Sequence, residues 1–359
     1  MNSKANDPTR LRAGIIGCGW FGRVHLERLS EIPGIAVCAV SDPDPAARRK
    51  LAERVPELMR DQQGTDVADY ASAEELMQHP GLDFVVIASP NRWHVPQVLA
   101  ALEHGLHVLC EKPLSLVPEE VTQVAEATER SDRIVAIAYQ SRYRRDSRLL
   151  REALRSGRWG RITSIDVFAC EDWVTPNVGT WRHDPERCPG GYFGDANGHQ
   201  LDLLFHVTGL EASRLRATME NRGTPVPIVT WGEARLRPQS AATAPPRQTD
   251  DVPFTFTFVG DAKHWREEIS IQTERADFVM RNTRLLWTDS SADLRPFTEE
   301  DLSLSAPVTS DTPDSAFVRA LRGGEPVVSA PGTVWPVLRF TLGALASAAQ
   351  GGVEQHMTT

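Results

Sequence analysis

Through the first 140 residues, short uninterrupted apolar runs alternate with stretches whose apolar positions recur every three to four residues. The runs at 11–16, 35–40, 84–88, 108–110 and 134–138 predict strands. The stretches at 25–31, 45–54, 95–104 and 119–130 predict helices, the second opened by Pro45 and the third stopped by Gly105. Continuous apolar strands separated by helices predict a parallel sheet buried on both faces.

The rhythm changes after Gln140. A helix at 146–155 ends at Gly157, and β-type segments follow at 162–169, 215–219, 229–236, 254–259, 268–272 and 278–280. In Phe254-Thr255-Phe256-Thr257-Phe258 three rings point one way and two threonines the other, which predicts a half-buried strand of an open antiparallel sheet. The exposed side of such a sheet often meets a second subunit. The stretch 238–253, rich in Pro, Ala, Thr and Gln, reads as a mobile loop between two strands. Helical patterns return at 313–322 and 333–350. The fold class is therefore α/β, with one unit at 10–139 and a second at 140–352.

Composition narrows the function classes. A chain of 359 residues supports two cores, and 41% hydrophobic with 24% charged residues is ordinary for a water-exposed fold. The net charge of −9 with scattered arginines argues against nucleic acid or an anionic membrane as partner. Apolar runs fall short of the ~20 residues a bilayer span needs, and residues 1–12 read as a polar, frayed lead-in. Cysteines at 18, 38, 110, 170 and 188, odd in number and without metal-type spacing, point to reduced thiols in the cytoplasm.

Gly17-Cys18-Gly19-Trp20-Phe21-Gly22 lies between the first strand and the first helix, and Asp42 stands 20 residues past Gly22 at the end of the second strand. That context gives Gly17 the tight turn, Gly19 the close approach of a diphosphate, and Gly22 the close packing of the helix. A helix N-terminus there supplies N–H groups and partial positive charge. Asp42 either accepts the adenine-ribose hydroxyls, which selects NAD over NADP, or caps the turn before Pro43.

Glu111-Lys112-Pro113 closes the fourth strand, where ligands of doubly wound sheets bind. There Lys112 can take a hydroxyl proton or polarise a carbonyl; the alternative is an exposed lysine before a proline turn. In Gly190-Gly191-Tyr192-Phe193-Gly194-Asp195-Ala196-Asn197-Gly198-His199, Asp195 and His199 are spaced to share one helix face. The pair either relays a proton or grips a sugar hydroxyl, or else Asp195 caps the helix and His199 is an interior residue. A metal site is not expected, because a third ligand is lacking. Trp93 sits in a pocket-side loop, and Trp173, Trp181, Arg182 and His183 precede the glycine pair. Aromatic faces of this kind pack on sugar C–H faces, or else fill a hinge between domains.

Taken in order, these patterns resemble the Gfo/Idh/MocA oxidoreductase family, named for glucose–fructose oxidoreductase and inositol dehydrogenase. The set is Gly17 to Gly22, Ser89-Pro90-Asn91 with His94, Glu111-Lys112-Pro113, Tyr139-Gln140 with Arg142-Tyr143, Gly157 and Gly160, and Gly190-Gly191 with Asp195, His199 and Asp202. The resemblance covers 11 to about 352. It implies an N-terminal Rossmann domain and a C-terminal α/β domain whose large open, mostly antiparallel sheet serves substrate binding and oligomerisation, as a homodimer or homotetramer. It implies that Lys112, Asp195 and His199 line the site, with Lys112 and His199 as proton-handling candidates. It further implies that Glu111 touches the nicotinamide ribose, that Asn91 and Gln140 or Arg142 lie near the nicotinamide end, and that the Lys112–Pro113 bond is cis. Asn197 stands where relatives commonly carry an apolar residue, so it adds a polar contact toward substrate.

The function expected is NAD-dependent oxidation of a ring secondary alcohol of a sugar, sugar derivative or inositol to a ketone. The alternatives are a glycoside-cleaving enzyme that keeps its NAD through oxidation, elimination and reduction, and a sugar ketoreductase. The reading requires an amine from the front half and an imidazole from the back half to meet at one carbon.

Overall fold

Apolar strands with no polar interruption can hydrogen-bond only to one another once both faces are covered, and the first unit is built that way. The computed structural model describes residues 10–59, 67–196, 198–239, 245–246, 248–290 and 293–357. In it the chain divides into two compact units, 1–139 with 312–333, and 140–311 with 334–359. The sequence pattern predicts a second unit unbroken from 140 to 352. Instead 312–333 packs with the first unit, because the apolar face of its helix, with Phe317 and Val318, completes that core.

The first unit runs β1 (Leu11–Ile16), α1 (Trp20–Ser30), β2 (Ile35–Ser41), α2 (Pro45–Leu58), β3 (Ala68–Tyr70), α3 (Ala73–Met77), β4 (Phe84–Ile87), α4 (His94–Glu103), β5 (His107–Cys110), α5 (Pro118–Arg130) and β6 (Val135–Ile137). All six strands are parallel, in the order β3-β2-β1-β4-β5-β6. The order reverses at β1, so loops leaving β1 and β4 on opposite hands open a crevice at their carboxyl ends. Helix α4 stops at Gly105, whose φ of +70° is the left-handed geometry such a stop needs. The short β3 and α3 escaped the sequence reading because neither carries a full period of apolar positions.

The second unit continues with α6 (Arg145–Arg155), β7 (Ile162–Asp172), α7 (Val174–Asn177), α8 (Gly191–Asp195), α9 (Gly198–Thr208), β8 (Leu210–Glu220), β9 (Val229–Pro238), β10 (Val252–Val259), β11 (Asp261–Thr273), β12 (Asp277–Arg281), β13 (Arg284–Thr288) and β14 (Arg295–Pro296). Helix α10 (Pro313–Leu321) is the one returned to the first unit, and α11 (Trp335–Ala349) and β15 (Gln355–His356) end the chain.

Its nine-stranded sheet has the order β14-β13-β12-β11-β7-β10-β9-β8-β15. Every pair is antiparallel except β10 with β7, so the sheet is mixed where the sequence pattern alone gave an antiparallel one. Phe254, Phe256 and Phe258 are buried against Phe193 and Phe340, while Thr255 is exposed, as the alternation predicts. On the opposite face Trp231 aligns with Thr257, and Thr257 with Phe168. Within the expected loop at 238–253, residues 240–244 and 247 lie outside the described residues. Gln248 in that stretch is buried, donating to Ile162 O and accepting from Ile162 N at 2.8 Å, which ties the connection to β7.

Candidate active site

The glycine loop begins where β1 meets no further pairing partner and must turn. Gly17 has φ +93°, and a Cβ on it would lie 2.6 Å from the Ala88 carbonyl carbon and oxygen. A Cβ on Gly22 would come within 2.1 Å of the Gly17 carbonyl oxygen, so α1 and the loop are pressed together. Gly19, the N-cap of α1, is the opposite case: no side chain caps it, and a Cβ there meets nothing within 4 Å. An uncapped helix N-terminus beside open space fits a dinucleotide's diphosphate. Trp20, at 69% exposure, and Phe21 flank it from the solvent side.

Asp42, just past β2, accepts Cys18 N–H through Oδ2 and Asp44 N–H through Oδ1, each at 2.9 Å. It therefore anchors the glycine loop to the β2 turn, and each carboxylate oxygen retains a second lone pair for a ribose hydroxyl. Arg48 on α2 donates to the Asp42 carbonyl at 2.7 Å.

After β4, Asn91 and Trp93 form a 3-10 turn, with Trp93 half exposed. His94, the first residue of α4, is buried, its Nδ1 2.7 Å from the Pro113 carbonyl and its Nε2 2.8 Å from that of Ser89. Burial pushes its imidazole pKa down. After β5, Glu111 is buried and Lys112 only partly so, and the Lys112–Pro113 bond is cis. The Glu111 carboxylate receives His25 Nε2 at 3.2 Å and the Lys112 N–H at 3.0 Å. Burial raises its pKa, but the His25 bond and charge, followed by Lys112, bring it below the ordinary carboxylate value. Asp42, Asn91 and Lys112 thus follow β2, β4 and β5 on the carboxyl edge of one parallel sheet, as the glycine loop follows β1.

In the second unit, Gln140 and Arg142 belong to a 3-10 turn before α6. Arg142 is buried, and its Nε and Nη2 grip Asp202 of α9 at 2.9 and 2.5 Å. Burial raises the Asp202 pKa against the lowering by Arg142.

Asp195 and His199 do not share one helix. Asp195 closes α8, Ala196 is its C-cap, and Gly198 starts α9. Asn197 lies outside the described residues. The Asp195 carboxylate accepts through Oδ2 from Trp173 Nε1 at 3.0 Å and from Arg182 Nε at 2.8 Å. Trp173 is buried in the second unit's core, and the Arg182 guanidinium lies 4.4 Å from the Trp181 ring centroid. His199 lines a cavity of about 20 Å³ with Arg144, Gln200 and Glu267, room for one water-sized guest. Burial raises the Glu267 pKa against Arg144 and Gln200.

Sequence reasoning missed His25, Asp314, Gln200 and Glu267. For His25 a signal existed: it falls with Gly22, Leu26 and Leu29 on the buried face of α1, where an imidazole needs polar partners.

A βαβ sheet of this order, an open helix N-terminus after β1 and a lysine after β5 define a dinucleotide-dependent enzyme class. Comparison with known proteins makes the class specific. Residues 11–139 match the family model "Oxidoreductase family, NAD-binding Rossmann fold", and 147–260 match the "GFO/IDH/MocA C-terminal domain". The chain belongs to the Gfo/Idh/MocA oxidoreductase family, and its first unit is the NAD-binding Rossmann domain of that family.

The rhizopine catabolism protein MocA of Rhizobium meliloti is 30% identical over 208 residues, 58% of this chain and 60% of that one. The myo-inositol 2-dehydrogenase of Thermotoga maritima is 30% identical over 207 residues, 58% of each. The match thus spans less than two thirds of these relatives. Among solved structures, levoglucosan dehydrogenase in complex with NADH superposes with TM-score 0.79 at 19% identity, covering 98% of this chain and all of that one. An oxidoreductase domain protein from Kribbella flavida gives TM-score 0.81 at 19% identity with the same coverage, and both likenesses concern the fold. Among the described residues, no helix is long and apolar enough to cross a membrane, and no group of three His, Cys, Asp or Glu could hold a metal.

Proposed function

We propose that this protein is an NAD-dependent dehydrogenase that oxidises a ring secondary alcohol of a sugar, sugar derivative or inositol to a ketone. The observation that carries the reading is Lys112 on the carboxyl edge of the sheet that also carries the glycine loop. NAD, when bound, supplies the acceptor for the hydride that leaves the carbinol carbon. Lys112, as the free amine, takes the hydroxyl proton, and as the ammonium it polarises the carbonyl in the reverse direction. His199 is the second proton-handling group, and Asp195, set by Trp173 and Arg182, orients substrate hydroxyls.

Glu111, Asn91 and Gln140 are assigned to the nicotinamide end. Arg142 acts by holding Asp202 in α9. Asp42 and the neighbouring Asp44 repel a 2′-phosphate, which supports NAD over NADP. Trp93, Trp181 and Arg182 are the side chains offered to a sugar ring.

Relatives of 30% identity include the inositol dehydrogenase above and the D-glucoside 3-dehydrogenase of Escherichia coli, which supports a polyhydroxylated ring as substrate. The test is NADH formation at 340 nm across sugars, sugar acids and inositols. Failure on all of them, with NAD bound to the protein, sinks the reading.

A second reading has one specific support, the 27% identity over 178 residues to the α-N-acetylgalactosaminidase of Shewanella oneidensis. Release of an aglycone with co-purified NAD that is not consumed would favour it.

The open face of the second sheet, with Trp231 at 37% exposure beside Thr257 and Phe168, is the expected dimer or tetramer surface, checked by light scattering. Five free cysteines support a reducing compartment such as the cytoplasm.

A further inference from the structure

Helix α1 carries a histidine for which the proposed reaction has no use. His25 is fully buried, yet both ring nitrogens meet carboxylates: Nδ1 lies 2.6 Å from Asp314 Oδ1 and Nε2 lies 3.2 Å from Glu111 Oε1. Ionised carboxylates only accept, so both nitrogens must donate, and only the imidazolium has two N–H groups. Asp314 is itself fully buried on α10, with Arg28 Nη1 3.5 Å from its other oxygen. Glu111 Oε2 in turn accepts the Lys112 N–H. Three segments remote in sequence, in α1, α10 and the turn after β5, thus form one chain of charge-assisted hydrogen bonds ending at the backbone of the proposed proton acceptor.

The charged groups bonded to the ring are Asp314 from α10 and Glu111 after β5; Arg28 on its own helix meets Asp314, and the Lys112 N–H meets Glu111. Burial alone would push the imidazole pKa down, but Asp314, then Glu111, outweigh it and raise the value to about 10. On the other side of Lys112, the Pro113 carbonyl faces His94. The lysine-bearing turn is therefore gripped at both neighbours by buried histidines.

We propose that His25, fixed as an imidazolium by Asp314, is a positioning residue that holds Glu111 ionised and oriented, and through Glu111 sets the backbone of Lys112. The catalytic consequence rests on the dehydrogenase reading; the charge state of His25 does not.

The experiment labels histidine with ¹⁵N in the full-length protein with NAD added, identifies His25 by comparison with His25→Gln, and follows the ring nitrogens from pH 6 to 9. Both nitrogens should show imidazolium shifts at pH 8, and Asp314→Asn should convert the ring to the neutral form there. With the best sugar or cyclitol, His25→Gln and Asp314→Asn should lower kcat about 10–100-fold, as a misplaced reacting group does, with KM for that substrate changed less than about threefold.

Asp314→Asn keeps the shape of the site, so it decides the question if His25→Gln fails to fold. A neutral His25 at pH 8 in the wild-type protein overturns the proposal. So does wild-type kcat in a folded variant, even one with a lowered melting temperature. If the wild-type protein oxidises no sugar or cyclitol, the dehydrogenase reading falls and the nitrogen shifts alone decide the fate of this one.

Discussion

Around Glu111-Lys112-Pro113 the supporting atoms are buried charges, whereas around Asp195 they are an indole and a guanidinium. Glu111 is held by an imidazole with no solvent exposure, itself held by a carboxylate with none. Asp195 is held by Trp173, whose ring is core, and by Arg182, whose side chain is 30% exposed. The first arrangement resists movement because displacing any member strands a buried charge, which costs several kcal/mol. The second keeps one partner in water, where ion pairs are weak and exchangeable. A residue proposed to hold one reacting atom still suits the first kind of support, and one proposed to orient substrate hydroxyls tolerates the second.

The sharpest break in that comparison is at Lys112. Lys112→Met should reduce kcat about 10²–10⁴-fold, the range general acid–base groups contribute, with NAD affinity retained in fluorescence titration. Asp195→Asn retains an oxygen acceptor for Trp173 and loses only the charge facing a part-exposed arginine. Its loss in kcat/KM should be smaller than that of Lys112→Met, and a larger one would invert the ranking of the two residues.

Buried charge also serves the second unit, in the pair of Arg142 with Asp202. Asp202→Ala leaves the Arg142 guanidinium buried without its bidentate partner, and should cost about 3–5 kcal/mol in urea unfolding. Replacing Arg142 and Asp202 together by leucine should cost less than the single change, since neither charge is then stranded. An equal or larger loss in the double variant would show that the pair itself stabilises the unit.

The pH dependence of stability separates the two buried systems. His25 is raised from 6.5 to about 10 on folding. Its contribution is fully present below pH 6.5 and is lost as pH rises through about 10. The difference in melting temperature between wild type and His25→Gln should therefore be largest near pH 6 and shrink toward pH 10. Taking the difference matters, because Cys18 and Cys110 also have raised pKa values and lower stability in the alkaline range for both proteins. A difference that is flat with pH would mean the ring is not charged in the folded state.

How much of this was legible follows from range. The glycine loop, Asp42 and Lys112 were readable because each sits at a strand end that local apolar runs announce. The rings of Phe254, Phe256 and Phe258 were readable because a strand has period two. His25 and Asp314 are 289 residues apart, and only the return of 312–333 to the first unit brings them together. The break between α8 and α9 was hidden for a different reason. Asp195 and His199 keep a helical spacing in sequence even though Ala196 ends one helix and Gly198 begins the next. Parallel pairing of β10 with β7 likewise leaves no mark on either strand's own pattern.

The glycine loop carries the contrast between support and working surface inside a single turn. Gly17 and Gly22 are support: a methyl group on either would strike backbone atoms at 2.6 Å or closer, and Gly17 also has φ +93°. Gly19 is working surface: its φ is −73°, and a Cβ there meets nothing within 4 Å. Gly19→Ala should thus change stability by no more than about 1 kcal/mol, the less flexible unfolded chain offsetting the poorer N-cap. Its methyl would project at the uncapped N-terminus of α1, where a diphosphate has to approach the backbone, so NAD affinity should fall by about tenfold, roughly 1.4 kcal/mol. Gly17→Ala should lose stability and affinity together. If Gly19→Ala bound NAD as tightly as wild type, the diphosphate would not lie at this helix terminus, and the functional reading of the whole carboxyl edge of the sheet would lose its anchor.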